Sequence, residues 1–367
     1  MVGRMAARIR VAVLFGGRSA EHEISCISAS SVLRAIDSER YEVIPIGITP
    51  EGRWVRAHDD PAALEPKGRE LPTVTGDGSH VALPADPTAG GLRILDLNGA
   101  AGALGKVDVV FPLLHGTFGE DGTVQGLLEM AGVPYVGSGV FGSAAAMDKV
   151  HMKALLRSAS LRVGPYEVVR SPAELTAADR ERLGLPVFVK PARSGSSVGI
   201  SKVKNWGDFE SAVADARKHD PKVLVEAAVE GREIECAVLD RLGGGPPEAS
   251  LPAEIFVPEQ YEFYDYEAKY LSEDTRFAVP ADLPDDVTAA VRDVACRAFT
   301  ALDCAGLARV DVFVRPDGAV LLNEVNTMPG FTPVSMFPRM WAATGVNYSE
   351  LIDRLLRLAL VRGTGLH

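Results

Sequence analysis

The feature that most limits the fold is a set of near-continuous apolar runs separated by a helical stretch and loops: RVAVLF at 10–15, YEVIPIGI at 41–48 and VDVVFPLL at 107–114. Runs that are apolar at nearly every position, rather than every second one, belong to strands covered on both faces, and helices supply that cover. The chain therefore starts with a doubly wound, mostly parallel α/β domain over residues 1–147. Its first helix runs from about His22 to Ile36, with Ser19 as N-cap and Glu21 in the first turn. The stretch 56–105, rich in Pro, Gly, Asp and Ala, reads as loops and short edge strands. Met130 to Met147 is uncharged but carries Pro134, four glycines and two serines, so it reads as strand and loop rather than a membrane span.

From Asp148 the pattern changes to α+β. DKVHMKALLRSAS is helical, and LPVFVKP, VGISKV and KVLVEAA are short strands around a glycine-serine loop, giving a central unit over 148–231. The last unit, 232–367, holds the strand REIECAVLD, a polar-aromatic loop at 259–274 and a helix from Pro284 to about Leu302. Two strands around RPDG and a helix from Tyr348 to Val361 complete it. With 38 Lys+Arg against 49 Asp+Glu, net charge −11, the chain lacks the basic surplus that binding a nucleic acid backbone requires. Cys26, Cys236, Cys296 and Cys304 have no metal or disulfide spacing and read as buried thiols of a reducing compartment, the cytoplasm.

The paired strands LARVDVFV and AVLLNEVN carry the clearest chemistry. Alternation places Arg309 and Asp311 on one face of the first, and Glu324 and Asn326 on one face of the second. A four-residue turn, Arg315 to Gly318, pairs Val314 with Ala319 and sets Arg309 opposite Glu324, sending Val310, Val312, Leu321 and Val325 to the apolar side. Two carboxylates and an amide oxygen on rigid strands are hard ligands suited to Mg²⁺. In an arbitrary hairpin, a solvated salt bridge is the commoner outcome.

Elsewhere, Lys190 ends a buried strand and leads into a Gly/Ser loop through Gly199, whose backbone N–H groups can cradle phosphate, although a plain hairpin turn has the same composition. The spacing is not that of a Walker A loop. Glu226 and Glu233 sit at strand ends, where a carboxylate and free backbone groups can read an adenine edge and a ribose; both could equally be surface glutamates. Glu21 either complements a helix dipole or receives a substrate ammonium. His115 lies at the carboxyl edge of the first sheet, where open α/β folds bind ligands, or is bonded within a turn.

Seven segments, FGGRSAEHEIS, LHGTFGEDG, Met147-Asp-Lys149, VFVKPARSGSSVG, FYDYEAKY, ARVDVFV and NEVNTMPGFTPVS, together resemble the D-alanine-D-alanine ligases of the ATP-grasp superfamily, in the family's order over 15–335. The resemblance implies three domains with ATP between the central and C-terminal ones. It implies phosphate contacts from Lys149, Lys190 and the loop Ser194, Ser196, Ser197, Val198, and further nucleotide contacts from Glu226, Ala227, Ala228, Val229, Glu233, Lys269, Asn323 and Glu324. Asp311, Glu324 and Asn326 match the family's ligands for two Mg²⁺ ions, with Mn²⁺ as a substitute. Glu21 and His115 match the first D-alanine subsite, Lys269 and Ser335 the second, and Arg309 the group that stabilises the transition state. Ser196 and Tyr270 match the pair that, with Glu21, ties the long loop over the site. Ala227 stands where many members have lysine, so only backbone contacts remain there.

The implied reaction activates one D-alanine carboxylate as an acyl phosphate, then lets the amine of a second D-alanine attack it. The lid at 259–274 excludes water that would hydrolyse the anhydride. Other ligases of the superfamily, a D-alanine-D-lactate ligase or another carboxylate-amine ligase, are the neighbouring readings; a non-enzymatic nucleotide-binding module would lack the charged residues present here. The resemblance also implies a homodimer with small-molecule partners, D-alanine and ATP, and no membrane partner.

Overall fold

The computed structural model describes residues 7–57, 59–68, 70–77, 79–89, 93–95, 105–170, 174–256 and 276–365. Three sheets carry the chain. In the first, strand Ile9–Gly16 lies between Tyr41–Ile48 and Val109–Pro112, parallel to both. Val11 to Phe15 are essentially inaccessible, as expected of a central strand packed on both faces. The short strands Trp54–Arg56, His80–Ala82 and Arg93–Leu95 extend one edge with antiparallel pairing, matching the edge strands expected at 56–105.

The helix His22–Ala35 covers this sheet with Cys26, Ala29 and Val32. Ser19 is not its N-cap; Glu21 holds that position with no side-chain cap. The Ser19 hydroxyl instead accepts from the Glu21 N–H and donates to the His115 carbonyl, tying two loops together. The reading of 130–147 as strand and loop holds only for 132–139, where Tyr135 bridges Val110. Helix Thr123–Ala131 ends just before it and Val140–Met147 is a second helix. Its glycine mattered less than the alanines of GSAAAM: Gly142 sits where an added Cβ would lie 2.5 Å from the Asp303 carbonyl, so it serves close packing.

The central sheet has the order Tyr166–Val169, Val223–Ala227, Val187–Pro191, Ser201–Val203, all antiparallel. Helix Lys149–Ser158 leads into it, capped by Asp148, whose Oδ1 accepts from the N–H groups of Val150 and His151. In the third sheet, Arg232–Leu239 pairs with Leu307–Val314, which pairs with Val320–Asn326, and helix Asp285–Ala301 packs behind them. The C-terminal helix Tyr348–Arg362 returns to the first sheet, and one apolar cluster runs from Val11 and Phe111 through Phe331 and Trp341 to Leu355.

The hairpin register differs from the sequence expectation. The connection is five residues long, Val314 faces Val320, and the pairing slips between Asp311 and Val312. Asn323 is left without a partner, a β-bulge, so Asp311 faces Glu324 and Arg309 faces Asn326. Because one extra residue flips strand parity, Leu322 rather than Leu321 takes the core position, at 1% exposure. Leu322→Ala should therefore cost about 2–5 kcal/mol, whereas Leu321→Ala should cost under about 1.5 kcal/mol, a contrast that urea unfolding of the two variants checks.

Candidate active site

Two adjoining cavities, of about 560 and 340 Å³, open between the three sheets, and Lys190, Ser197, Glu235, Arg309 and Glu324 line both. The larger also takes in Glu21, His115, Glu120, Lys149, Ser196 and Ser335; the smaller takes in Lys153, Glu226, Glu233, Asp311 and Asn323, with the 227–229 segment on its wall. Nearly every described residue singled out from the sequence thus reaches one space. Val198 lines the larger cavity, as do Ser194 and Asn326. Lys269, Tyr270 and the lid at 259–274 lie outside the described residues.

The glycine-serine loop is held in an unusual shape. Ser196 and Ser197 have φ of 49° and 58°, a left-handed conformation that non-glycine residues seldom adopt. The Ser196 hydroxyl donates to the Glu21 carboxylate. That carboxylate lies close against two glycines: a Cβ on Gly116 or Gly195 would lie 2.7 or 2.9 Å from Glu21 Oε2 and push it from this position. Lys149 Nζ donates to the Ser194 carbonyl at 2.9 Å and lies 3.5 Å from Glu324, so one lysine links the loop to the acidic strand.

His115 commits both ring nitrogens to the protein. Nδ1 donates to the Met328 carbonyl at 2.9 Å, which leaves Nε2 to accept from the Ser28 hydroxyl at 3.1 Å. Burial holds its pKa below the usual histidine value, so the ring is neutral. Its partners lie 213 and 87 positions away, so the ring is bonded across the fold rather than within a turn, and it lines the larger cavity. Ser335 caps helix Met336–Ala343 in position and bonds Thr332 through its hydroxyl.

On the third sheet, Arg309 reaches both Asp311 oxygens at 2.7 Å and Glu235 at 3.2 Å. Burial works against its charge, but Asp311 and Glu235 outweigh that and hold its pKa well above the usual arginine value. Asn326 Nδ2 donates to Asp311 at 3.0 Å. Among the described residues no three His, Cys, Asp or Glu side chains already form a metal cage. The donor set nonetheless fits a hard divalent ion: Asp311 and Glu324 face each other in register and Asn326 shares their face, leaving positions for water and phosphate oxygens. Such an ion would take Asp311 from Arg309 and Asn326, and Glu235 would remain with the arginine.

Three participants escaped the sequence reading. Lys153 ion-pairs with Glu226 at 2.7 Å, and Lys190 pairs with the same carboxylate. Burial alone would raise the Glu226 pKa, but the two lysines pull it down to about 2, while burial lowers that of Lys153. Glu235 lies two residues from Glu233 and faces Asp311 across the strands, so period-2 alternation pointed to it. Glu120, inside the segment LHGTFGEDG, accepts from the N–H groups of Gly116 at 2.7 Å and Met328 at 2.9 Å.

Two family profiles match this chain: "D-ala D-ala ligase N-terminus" over residues 10–138 and "D-ala D-ala ligase C-terminus" over 155–357. The chain belongs to the D-alanine-D-alanine ligase family. It is 61% identical to a D-alanine--D-alanine ligase of Frankia casuarinae, covering 98% of each chain, and 55% identical to one of Mycobacterium tuberculosis, covering 99% of each. The D-alanine-D-alanine ligase structure from Coxiella burnetii superposes with a TM-score of 0.82 at 35% identity over 97% of this chain and 95% of that one. The VanG D-Ala:D-Ser ligase from Enterococcus faecalis gives 0.82 at 33% identity over 96% and 100%. The fold is the three-domain ATP-grasp architecture, and among the described residues no helix is long and apolar enough to cross a membrane.

Desolvation pushes the Glu120 carboxyl up to about 8, and the nearby charge of Glu21 adds to the effect. A folded-state value above the ordinary 4.5 means that the proton on Glu120 stabilises the fold. That contribution is complete below the ordinary value and is lost as pH rises through about 8. Urea unfolding at pH 5 and pH 8.5 should show wild-type stability falling more over this interval than that of Glu120→Gln; parallel falls would assign the proton elsewhere.

Proposed function

We propose that this chain joins two D-alanines into D-alanyl-D-alanine by way of a D-alanyl phosphate, converting ATP to ADP and phosphate, a step of peptidoglycan precursor synthesis carried out in the cytoplasm, and that it works as a homodimer. The observation that carries the reading is the meeting of Lys149, Lys190 and the 194–198 loop with Asp311, Glu324 and Arg309 around two connected cavities. The smaller cavity has Lys153 and Lys190, the carboxylates and the 227–229 backbone that a triphosphate and its base need, with Lys149 reaching in from the larger one. The larger has Glu21 for an ammonium and Arg309 and Ser335 for carboxylates.

On this reading Glu21 anchors the first D-alanine by its ammonium, which aims the carboxylate at the γ-phosphate. Lys149 and Lys190 offset phosphate charge as the carboxylate attacks and an acyl phosphate forms. Mg²⁺, as two ions held by Asp311, Glu324 and Asn326, would screen the triphosphate and polarise its terminal phosphate. The second D-alanine, its amine deprotonated, then attacks the acyl carbon, and Arg309 stabilises the oxyanion of the tetrahedral intermediate. Collapse releases phosphate. Glu233 serves the ribose, and Lys269 and Tyr270 serve the second substrate and loop closure.

D-alanine-dependent phosphate release, with the product identified by mass, tests the reading. D-alanine alone should give the dipeptide and L-alanine no turnover; a product formed only when D-serine or D-lactate is added would assign a different second substrate. Glu324→Gln should lower phosphate release at least about 100-fold with the fold intact, and normal turnover in a well-folded variant would remove the metal role.

A further inference from the structure

Glu226 is met by two lysines from different elements. Lys153, on helix Lys149–Ser158, lies 2.7 Å from Oε1, and Lys190, on the strand beside Glu226, pairs with Oε2. Lys153 is the more enclosed, at 2% exposure, and its ammonium also donates to the Asn323 carbonyl at 3.0 Å. That carbonyl belongs to the residue left unpaired by the bulge, so the register slip supplies the lysine's second acceptor.

We propose that Lys153 is a positioning residue for Lys190: by holding Glu226 permanently, it lets Lys190 exchange between that carboxylate and nucleotide phosphate. The proposal deepens the ligase reading and rests on Lys190 meeting the triphosphate. A buried carboxylate stripped of its only cation is costly, so with Lys153 absent a phosphate would have to break a complete buried ion pair to recruit Lys190. With Lys153 in place, Glu226 stays compensated when Lys190 leaves. Lys153 does not follow, because its ammonium is fixed between two acceptors inside the protein.

A lysine that merely added positive potential would help phosphate equally whether or not Glu226 carried charge. A double-mutant cycle separates the two roles. The ligand is tripolyphosphate without added metal, measured by calorimetry on the full chain, so that any contact of Glu226 with adenine drops out. K153M should weaken binding at least about 10-fold relative to wild type, whereas K153M/E226Q should bind within about 3-fold of E226Q. Equal losses in both backgrounds, or no loss in K153M, would overturn the proposal, as would a wild type that does not bind tripolyphosphate at millimolar concentration. If K153M does not fold, K153Q replaces it in the same cycle, because glutamine keeps a hydrogen bond to Glu226 without the charge. A wild type that shows this pattern but no D-alanine-dependent phosphate release would sink the ligase reading and leave the exchange standing.

Discussion

Everything in this site depends on charge compensation away from water. Four cations, Lys149, Lys153, Lys190 and Arg309, meet four carboxylates, Glu226, Glu235, Asp311 and Glu324, where the central and C-terminal sheets approach each other. Removing one member of such a buried pair typically costs about 3–5 kcal/mol, because the partner is left as an uncompensated charge. The groups are therefore carried mostly on paired strands, whose register fixes them without further ordering. Helix Lys149–Ser158 contributes two lysines one turn apart, a like-charge spacing tolerated only because each has its own carboxylate.

The outline of this arrangement was legible in the sequence wherever a period decides the outcome. Apolar runs located the parallel strands, and alternation put Arg309 with Asp311 and Glu324 with Asn326 on shared faces, as the contacts among them bear out. Register was not legible, because a bulge is a cooperative choice of two strands and leaves no mark in either alone; counting from the turn set Arg309 against Glu324 and sent Leu321 inward. Ser19 was misread for a related reason. Its sequence context suits an N-cap, but the helix starts only at His22, and the hydroxyl bonds the Glu21 N–H and the His115 carbonyl in the loop before it. Lys153 and Glu120 escaped because a buried ionisable group is indistinguishable from a solvated one until its partner, 73 or 208 positions away, is seen beside it.

The larger cavity is built across long sequence separations. Met328 is gripped at both ends of its backbone, its carbonyl by His115 and its N–H by Glu120, so the loop after the first sheet is sewn to the loop after the acidic strand. Behind this seam the apolar cluster from Val11 to Leu355 joins the same two units, and Tyr41 reaches Asp353 at 2.7 Å. The walls of this chamber therefore come from two units that share one core. Lys149 and the 194–197 loop approach from the central sheet, touching Glu324 and Glu21 respectively through individual polar contacts.

That asymmetry bears on how the reaction is confined. On the proposed reading, the residues common to both cavities, among them Lys190, Ser197, Glu235, Arg309 and Glu324, form the boundary across which a phosphoryl group would pass from nucleotide to carboxylate. Charge that moves across a low-dielectric boundary is cheapest to stabilise where dipoles and ions are fixed beforehand. Arg309 meets that requirement because two carboxylates hold it from different strands, so a metal that draws Asp311 away still leaves Glu235 to keep the guanidinium in place. On the proposed reading, Glu226 does for Lys190 what Glu235 does for Arg309: each cation that must serve a transient anion has a resting partner on the neighbouring strand, and the site is never left with a bare charge at any stage of the cycle.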